Sequence, residues 1–240
     1  LVGSEMCIRD RKRWGFHGAS HRYVAERATT LAERSAQLAG RTDLRVISCH
    51  LGGSNSLCAI RNGKSVATSM GMSPQTGLPH NNRVGDFDPF ALRLVMERTG
   101  LSLDDALNVL AEKSGLLGLS GLSGDVRDLE EAAAKGHARA KLALDVFSTY
   151  IRQYLGAMLV ELGGVDLIAF AGGIGENSSQ MRAAVLNNLE GLGIVLDSAK
   201  NAGAKGEVQI NAATSQVAVW IVPTNEEIIV ARQVRANLEG

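Results

Sequence analysis

The glycine-rich stretch from Phe170 to Ser178 constrains the fold of this chain more than any other segment. It follows an apolar run, Val165 to Phe170, that is typical of a buried strand, and it precedes a helical pattern from about Ser179 to Leu189. Three glycines lie in the turn between strand and helix, at Gly172, Gly173 and Gly175. Without side chains, such a turn lets a flat or charged ligand approach backbone N–H groups at a helix N-terminus. The same turn also occurs without any ligand, so the two interpretations remain open at this point.

The composition indicates an ordinary globular protein. Of its 240 residues, 45% are apolar and 21% are charged, and the formal net charge is zero. Nothing in that charge balance favours binding to nucleic acid or to an acidic membrane. No apolar run approaches the roughly 20 residues of a transmembrane helix, and no signal peptide is visible. The three cysteines are odd in number and lack metal-ligand spacing, which predicts a cytoplasmic location.

The first residues fit nothing that follows. The chain begins with Leu1, and residues 1–12 are interpreted as a non-native or disordered lead. The alternative is a natural loop cut within a longer protein. On either interpretation, we expect this chain to be the C-terminal part of something longer.

The order of predicted elements favours an α/β fold. A strand from Leu44 to Cys49 precedes a hairpin, whose Asn62-Gly63 pair is a strong two-residue turn signal. Strands follow at Val165–Phe170 and Gln216–Val222. Helices are predicted over residues 21–38, 89–98, 102–113, 129–162 with a break near Gly136, 179–189 and 226–238. This order predicts a mixed sheet with helices on both faces.

The ends and faces of these helices are predicted from single residues. Ser20 is a candidate N-cap and Gly40 a candidate stop for the first helix, and Asp88 with Pro89 is a candidate start for the second. Gly115 to Asp125 is predicted to be a loop. In the long helix, a core stripe is predicted from residues spaced mostly three and four apart. Its members are Leu142, Val146, Ile151, Leu155, Met158, Leu159 and Leu162.

Two loop residues are candidates for contact with an anion. His17, next to Gly18, could donate a hydrogen bond to an anion or could be an ordinary loop histidine. Zinc binding by His17 and His21 is disfavoured, because no Glu follows His17 and no third ligand suggests itself. Arg83 lies in the long polar loop from Met72 to Pro89, where it could bind phosphate or carboxylate, or could be solvated.

Three further segments carry candidate ligand contacts. The polar turn from His50 to Ser56 follows the first strand, where several ATPase folds hold phosphates. Asp125 could cap the next helix or accept a hydrogen bond from a ribose or a base. Glu226 and Glu227 suit the N-terminal dipole of the last helix, and either could instead hold Mg²⁺.

Six motifs together resemble the acetate kinase family, in family order. They are Gly15 to His21, His50 to Gly52, Arg83 with Gly85 to Pro89, Asp125 to Asp128, Gly172 to Ser178, and Pro223 to Glu227. This family belongs to the actin-like, sugar-kinase and heat-shock-ATPase superfamily, with a ribonuclease H-like fold. The resemblance implies reversible phosphorylation of acetate by ATP, giving acetyl phosphate and ADP by direct in-line transfer. It also implies Mg²⁺ or Mn²⁺ as cofactor and a homodimer.

The resemblance also implies residue roles. His17 and Arg83 match the pair that stabilises the transferring phosphoryl group, Phe16 matches the acetate pocket, and Glu226 matches a magnesium-associated glutamate. The residues that match ATP contacts are His50, Leu51, Gly52, Gly53, Ser54, Asp125, Val126, Arg127, Gly173, Ile174, Gly175, Glu176 and Asn177.

Three departures from the family pattern carry expectations. Gly53 replaces an asparagine whose amide would reach phosphate, so Asn55 or the bare backbone would have to substitute, and Ala19 replaces a threonine. The family's N-terminal half is missing. Residues 13–240 are therefore expected to be a C-terminal nucleotide-binding domain that is inactive alone. Alternatives are a propionate or butyrate kinase and a non-catalytic nucleotide-binding or dimerisation module; the open glycine turn argues against a pyrophosphate-linked relative.

Overall fold

The computed structural model describes residues 15–239, and in that part the chain forms one six-stranded sheet and ten α-helices. The strands are β1 (Arg45–Leu51), β2 (Asn55–Arg61), β3 (Lys64–Thr68), β4 (Leu167–Ala171), β5 (Val208–Gln209) and β6 (Ala218–Ile221). The helices are α1 (Gly18–Glu33), α2 (Ala91–Thr99), α3 (Leu103–Glu112), α4 (Gly115–Ser120), α5 (Val126–Ala134), α6 (Ala138–Leu162), α7 (Gly172–Asn177), α8 (Ser179–Leu186), α9 (Ser198–Gly203) and α10 (Glu226–Glu239). A 3₁₀ turn covers Glu190–Leu192.

The sheet is mixed, as the sequence predicts. Its strand order is β3-β2-β1-β4-β6-β5. The three central strands β1, β4 and β6 run parallel, with Val46 opposite Leu167 and Ala169 opposite Trp220. The outer pairs β2/β3 and β5/β6 are antiparallel. The β2/β3 hairpin turns at Asn62 and Gly63, both with positive φ, as a two-residue turn of this kind requires.

Both faces of the central strands are buried. Every residue of β4 is buried, which is typical of a parallel strand covered on both sides. On one face, Val24, Ala28 and Leu31 of α1 pack against Val46 and Ala169. Ile168 and Phe170, which point to the other face, are also fully buried. Each such side chain contributes about 1.5–3 kcal/mol through burial.

Helix ends were the least accurate part of the sequence prediction. Helix α1 begins at Gly18 and ends at Glu33, so Ser20 is not its cap and Gly40 is not its stop. The Ser20 hydroxyl instead contacts His50. Helix α2 begins three residues after Asp88, because the Asp88 carboxylate accepts from the Phe90 N–H in a turn that precedes the helix.

Helix α4 was missed, because its glycine, serine and leucine residues resemble a loop. Its first residue, Gly115, has φ +59°, and a Cβ there would lie 2.2 Å from the carbonyl oxygen of His80. Only glycine fits a backbone this close to another. The tertiary contact, which the local sequence does not reveal, therefore determines this element.

The long helical stretch breaks near Gly136, as predicted, and Gly136 has φ +88°. The predicted stripe on α6 was wrong in part, because Leu142 is 52% exposed. The residues of α6 that are buried most fully share a face at spacings of three and four. They are Ala140, Ala143, Phe147, Ile151, Leu155, Met158 and Leu162. Val146 and Leu159 are half-buried.

The described residues divide into two compact units. The first contains residues 15–16, Gly53–Asn55 and Ser69–Ile151. The second contains His17–Gly52, Ser56–Thr68 and residues 152–239. The prediction of one nucleotide-binding domain over residues 13–240 stays a prediction, and the predicted lead at 1–12 lies outside the described residues. Within residues 15–239, no helix is long and apolar enough to cross a membrane.

Candidate active site

His17 lies at the N-terminus of α1 in the second unit and is held in an uncommon conformation. Its φ of 59° and ψ of 33° are left-handed, which few residues other than glycine adopt. Its imidazole stacks on that of His50, with ring centroids 4.0 Å apart and planes 18° apart. His50 lies near the end of β1, so the sheet fixes its position. Strained residues of this kind cluster at functional sites.

A hydroxyl group links His17 to the neighbouring His21. Ser56 Oγ lies 2.8 Å from His17 Nδ1 and 2.7 Å from His21 Nε2. On its other side, His21 Nδ1 lies 2.9 Å from Ser48 Oγ. Ser48 comes from β1 and Ser56 from β2, so two neighbouring strands and one helix build this cluster. The sequence indicated His21 only as a disfavoured zinc ligand, and no motif gave a role to either serine.

His21 and His50 are neutral at physiological pH. Burial, with a smaller contribution from His50 and His17, lowers the pKa of His21 to about 3. Burial, with a smaller electrostatic contribution from His17, lowers the pKa of His50 to about 3 as well. The Ser20 hydroxyl lies 2.8 Å from His50 Nδ1. Both rings can therefore take part in hydrogen bonds, but neither carries a positive charge toward a ligand.

The predicted glycine turn is a short helix, α7. Gly172 has φ +76°, and a Cβ there would lie 2.6 Å from the carbonyl oxygen of Leu51. A Cβ on Gly173 would meet nothing within 4 Å. The N–H of Gly172 donates to Glu176 Oε1 at 3.1 Å, so this N–H is not bare. Asn177 Nδ2 donates to the Gly173 carbonyl at 2.8 Å. The two side chains thus brace the helix to which they belong.

Arg182, which no sequence motif indicated, supports the end of α7. Its side chain is 1% exposed, and its Nη1 donates to the carbonyl oxygens of Gly175 and Glu176, both at 2.9 Å. Its Nε donates to Asn201 Oδ1 at 2.8 Å. Burial lowers the pKa of Arg182 to about 10. An arginine within the otherwise apolar pattern of residues 181–186 was the available signal.

In the first unit, the long loop before α2 packs on the turn between β1 and β2. Arg83 Nη1 donates to Ser54 Oγ at 3.1 Å. Asn81 N donates to the Gly53 carbonyl at 3.3 Å. Asn55 N donates to His80 Nδ1 at 2.9 Å. Arg83 is half-buried. The structure therefore favours an anchored Arg83 over a fully solvated one. The contact joins the loop of Arg83 to the turn of Ser54, which the sequence indicated as separate candidate sites.

Asn55 does not take over the role of the asparagine that Gly53 replaces. It is fully buried, and its Nδ2 donates to the Pro79 carbonyl at 3.0 Å. The amide beside Gly53 belongs to Asn81, whose Nδ2 would lie 3.5 Å from a Cβ on Gly53. Asn81 Oδ1 is buried and accepts no hydrogen bond from the described residues. This part of the site thus has an amide group, although it comes from a different segment.

Asp125 caps α5, which is the first of its two predicted roles. Its carboxylate accepts from the Arg127 N–H at 2.9 Å and pairs with the Arg127 guanidinium at 2.6 Å. The side-chain hydrogen bond from Arg127 lowers the pKa of Asp125. The side chain of Val126 is buried. Gly124 brings this segment beside Asn81, because a Cβ on Gly124 would lie 2.5 Å from the Asn81 carbonyl oxygen.

Two further predicted residues, Glu226 and Phe16, take no part in the hydrogen bonds described above. Glu226 is exposed in the first turn of α10, and Asn225 caps that helix by accepting from the Ile228 N–H at 3.0 Å. Phe16 is half-buried. Within residues 15–239, no group of three or more His, Cys, Asp or Glu is arranged to hold a metal ion. One exposed carboxylate fits Mg²⁺ or Mn²⁺ that takes its other ligands from water and phosphate.

Comparison with known proteins gives consistent matches. A sequence model of the Acetokinase family matches residues 3–232. The chain is 47% identical to the acetate kinase of Heliobacterium modesticaldum over 229 residues, which are 95% of this chain and 56% of that protein. It is 48% identical to the acetate kinase of Finegoldia magna over 221 residues, 92% of this chain and 54% of that protein.

Two solved structures are similar as well. The crystal structure of Porphyromonas gingivalis acetate kinase has a TM-score of 0.90 at 39% identity, covering 99% of this chain and 59% of that one. A propionate kinase from Francisella tularensis has a TM-score of 0.82 at 35% identity, covering 91% of this chain and 54% of that one. The chain spans about half the length of the curated relatives it matches.

Proposed function

The chain belongs to the acetokinase family and has its actin-like fold, and on that premise we propose that it supplies the nucleotide-binding part of an enzyme that phosphorylates acetate. The proposed reaction is reversible. An acetate oxygen attacks the γ-phosphorus of ATP, the bond from that phosphorus to the bridging oxygen breaks, and acetyl phosphate and ADP result. The observation that carries the proposal is the anchored His17, stacked on His50 and hydrogen-bonded to Ser56.

His17 and Arg83 are the proposed donors to the transferring phosphoryl group. Phosphoryl transfer depends mainly on positioning and on donors directed at the equatorial oxygens. Both side chains are held by serine hydroxyls, His17 by Ser56 and Arg83 by Ser54. A donor that is already held loses less entropy in the transition state. No residue of the chain needs to form a covalent intermediate.

The nucleotide is proposed to contact three segments and the side chain of Asn81. The turn from His50 to Ser54 and the amide of Asn81 would contact phosphates, and Gly173 to Asn177 with Asp125 to Arg127 would contact the adenosine. Gly173 supports this proposal because it offers open space next to a backbone that Arg182 holds in place. Phe16 is proposed to belong to the acetate pocket.

Mg²⁺ or Mn²⁺ is the proposed cofactor, with Glu226 as the residue of this chain that would hold it. When bound, the ion would neutralise charge on the nucleotide phosphates. Glu226 has an exposed carboxylate, and a magnesium site of one carboxylate plus nucleotide phosphates and water is a common arrangement.

A homodimer in the cytoplasm is proposed for the assembled protein. Leu142 and Val160 of α6 leave apolar side chains 52% and 77% exposed, which a partner copy would cover. The free, buried thiols of Cys49 and Cys58 suit a reducing compartment.

The test is an assay of carboxylate phosphorylation by the gene product that contains this chain, with acetate, propionate and butyrate as substrates. We expect the highest kcat/KM for acetate. A preference for propionate would instead support the alternative that the Francisella tularensis relative raises. Nucleotide binding without turnover of any substrate would support a non-catalytic module.

A further inference from the structure

The hydroxyl of Ser48 is the fixed end of a hydrogen-bond chain. Ser48 lies on β1 and is fully buried. Among the residues that the structure describes, its one hydrogen-bond partner is His21 Nδ1, at 2.9 Å. If Ser48 accepted a hydrogen bond from Nδ1, its own O–H would be left unpaired in the protein interior, which is unfavourable. Ser48 therefore donates, and His21 Nδ1 accepts.

The direction of the Ser48–His21 hydrogen bond determines the direction of the next one, between His21 and Ser56. Since burial keeps His21 neutral, the ring carries one proton. With Nδ1 accepting, that proton is on Nε2, which lies 2.7 Å from Ser56 Oγ. Ser56 is also fully buried, so its own O–H must find an acceptor. Among residues 15–239, the acceptor within reach is His17 Nδ1, at 2.8 Å.

We infer that the chain Ser48–His21–Ser56–His17 runs in this one direction and fixes neutral His17 as the tautomer with its proton on Nε2. The reverse direction would leave the Ser48 proton unpaired. The stacked His50 bonds through Nδ1 to Ser20 and has no hydrogen bond to this chain. Ser48, His21 and Ser56 are thus positioning residues. The inference rests on the proposed function only for its consequence, which is that His17 offers Nε2–H to the transferring phosphoryl group.

The tautomer can be measured without any activity. In the ¹⁵N-labelled chain, ring-nitrogen shifts and their couplings to ring protons distinguish the two neutral tautomers, and there are only five histidines to assign. At a pH at which the ring is neutral, we expect His17 and His21 to have protonated Nε2 and unprotonated Nδ1. A His17 with its proton on Nδ1 would overturn the inference.

Removing the Ser48 hydroxyl should remove the preference of His17 for the tautomer protonated on Nε2. In Ser48→Ala, either tautomer of His21 leaves Nδ1 without a partner, so His17 should become a mixture of both tautomers. Ser35→Ala is the matched control, because Ser35 is also fully buried and its hydroxyl contacts Leu31 and Trp220 but no histidine. A His17 tautomer unchanged by Ser48→Ala would contradict the directed chain.

The effect on kcat can be tested separately from the tautomer of His17. In the gene product that contains this chain, Ser48→Ala should lower kcat in proportion to the fraction of His17 that is then in the wrong tautomer, about twofold for an equal mixture. The affinity for ATP should not change. Ser35→Ala should leave kcat unchanged, whatever its effect on stability. If the wild-type protein phosphorylates no carboxylate, the proposed function fails while the tautomer measurement still decides the inference.

Discussion

The imidazoles of His17 and His50 stack face to face, with centroids 4.0 Å apart. His50 belongs to a central strand, whereas His17 precedes a helix and has a left-handed backbone. The contact thus holds His17 against a strand in the interior of the sheet. A ring held by stacking on one side and by a hydroxyl on the other is pre-organised, which is what catalysis by positioning requires.

A side chain at Gly173 should block nucleotide without harming the fold. A Cβ there meets nothing within 4 Å, so Gly173→Gln should change the free energy of unfolding by less than about 0.5 kcal/mol. The same side chain would fill the space proposed for adenosine. Calorimetry should therefore show ATP binding weakened by more than tenfold.

Gly172→Ala is the matched control for that prediction. Gly172 has a positive φ, and its Cβ would lie 2.6 Å from a backbone oxygen. This variant should lose stability, measured by urea unfolding, although its side chain is smaller than glutamine. Unchanged ATP affinity in Gly173→Gln would remove α7 from the proposed nucleotide site.

The side-chain amide of Asn81 should contact a nucleotide phosphate, because Gly53 has no side chain to do so. Loss of a hydrogen bond to a charged phosphate costs about 1.5–3 kcal/mol, so Asn81→Ala should weaken ADP binding by tenfold or more. Gly53→Asn introduced into that variant should restore part of the affinity, because the two side chains would occupy the same space. The neighbouring exposed Asn82→Ala is the control and should bind ADP normally. Equal affinities in all these variants would exclude the Asn81 amide as a contact.

Acid should destabilise the fold before its carboxylates titrate. The pKa of His21 is about 3 when folded and returns to its ordinary value of 6.5 when unfolded. The unfolded chain therefore binds a proton that the folded chain does not, so stability is complete above pH 6.5 and is lost as the pH falls toward 3. Between pH 7.5 and 5.5 the loss should be on the order of 1 kcal/mol from His21 and a similar amount from His50.

Urea unfolding across this range checks the prediction. His21→Gln should be less stable than wild type at pH 7.5, yet its stability should fall less steeply between pH 7.5 and 5.5. An identical slope in the two proteins would mean that His21 is not held neutral by burial.

The proposed dimer predicts a specific hydrodynamic result. Sedimentation velocity at micromolar concentration should show two copies of the chain. Replacing the exposed Leu142 and Val160 by lysine should shift the protein toward a monomer without loss of helical circular dichroism. A wild-type chain that is folded yet monomeric under these conditions would count against the dimer.

The elements that depend on local sequence were predictable. β4 is recognisable from an uninterrupted apolar run, the hairpin from Asn62-Gly63, and the start of α5 from Asp125, which caps it as expected. Helix α1 was displaced because Ser20, a good cap by type, contacts His50 instead. A side chain with two available partners cannot be assigned from its own segment.

The parts of the site that depend on strand pairing could not be predicted. Ser48 and Ser56 meet His21 only because β1 and β2 are neighbours in the sheet. Similarly, Asn81 lies beside Gly53 because two loops that are far apart in the sequence are in contact. The motifs indicated His17, His50 and Arg83, but they did not indicate that Ser56 contacts His17 or that Ser54 contacts Arg83.

Steady-state kinetics of His17→Ala and Arg83→Ala in the gene product that contains this chain test whether these two residues act on the transferring phosphoryl group. Each variant should lose roughly 10²–10³ in kcat, about 3–4 kcal/mol of transition-state stabilisation, with little change in ATP affinity. Arg83→Lys should recover only part of the loss, because an ammonium cannot reproduce a planar two-pronged contact. A kcat near that of the wild type in either alanine variant would contradict the role of that residue.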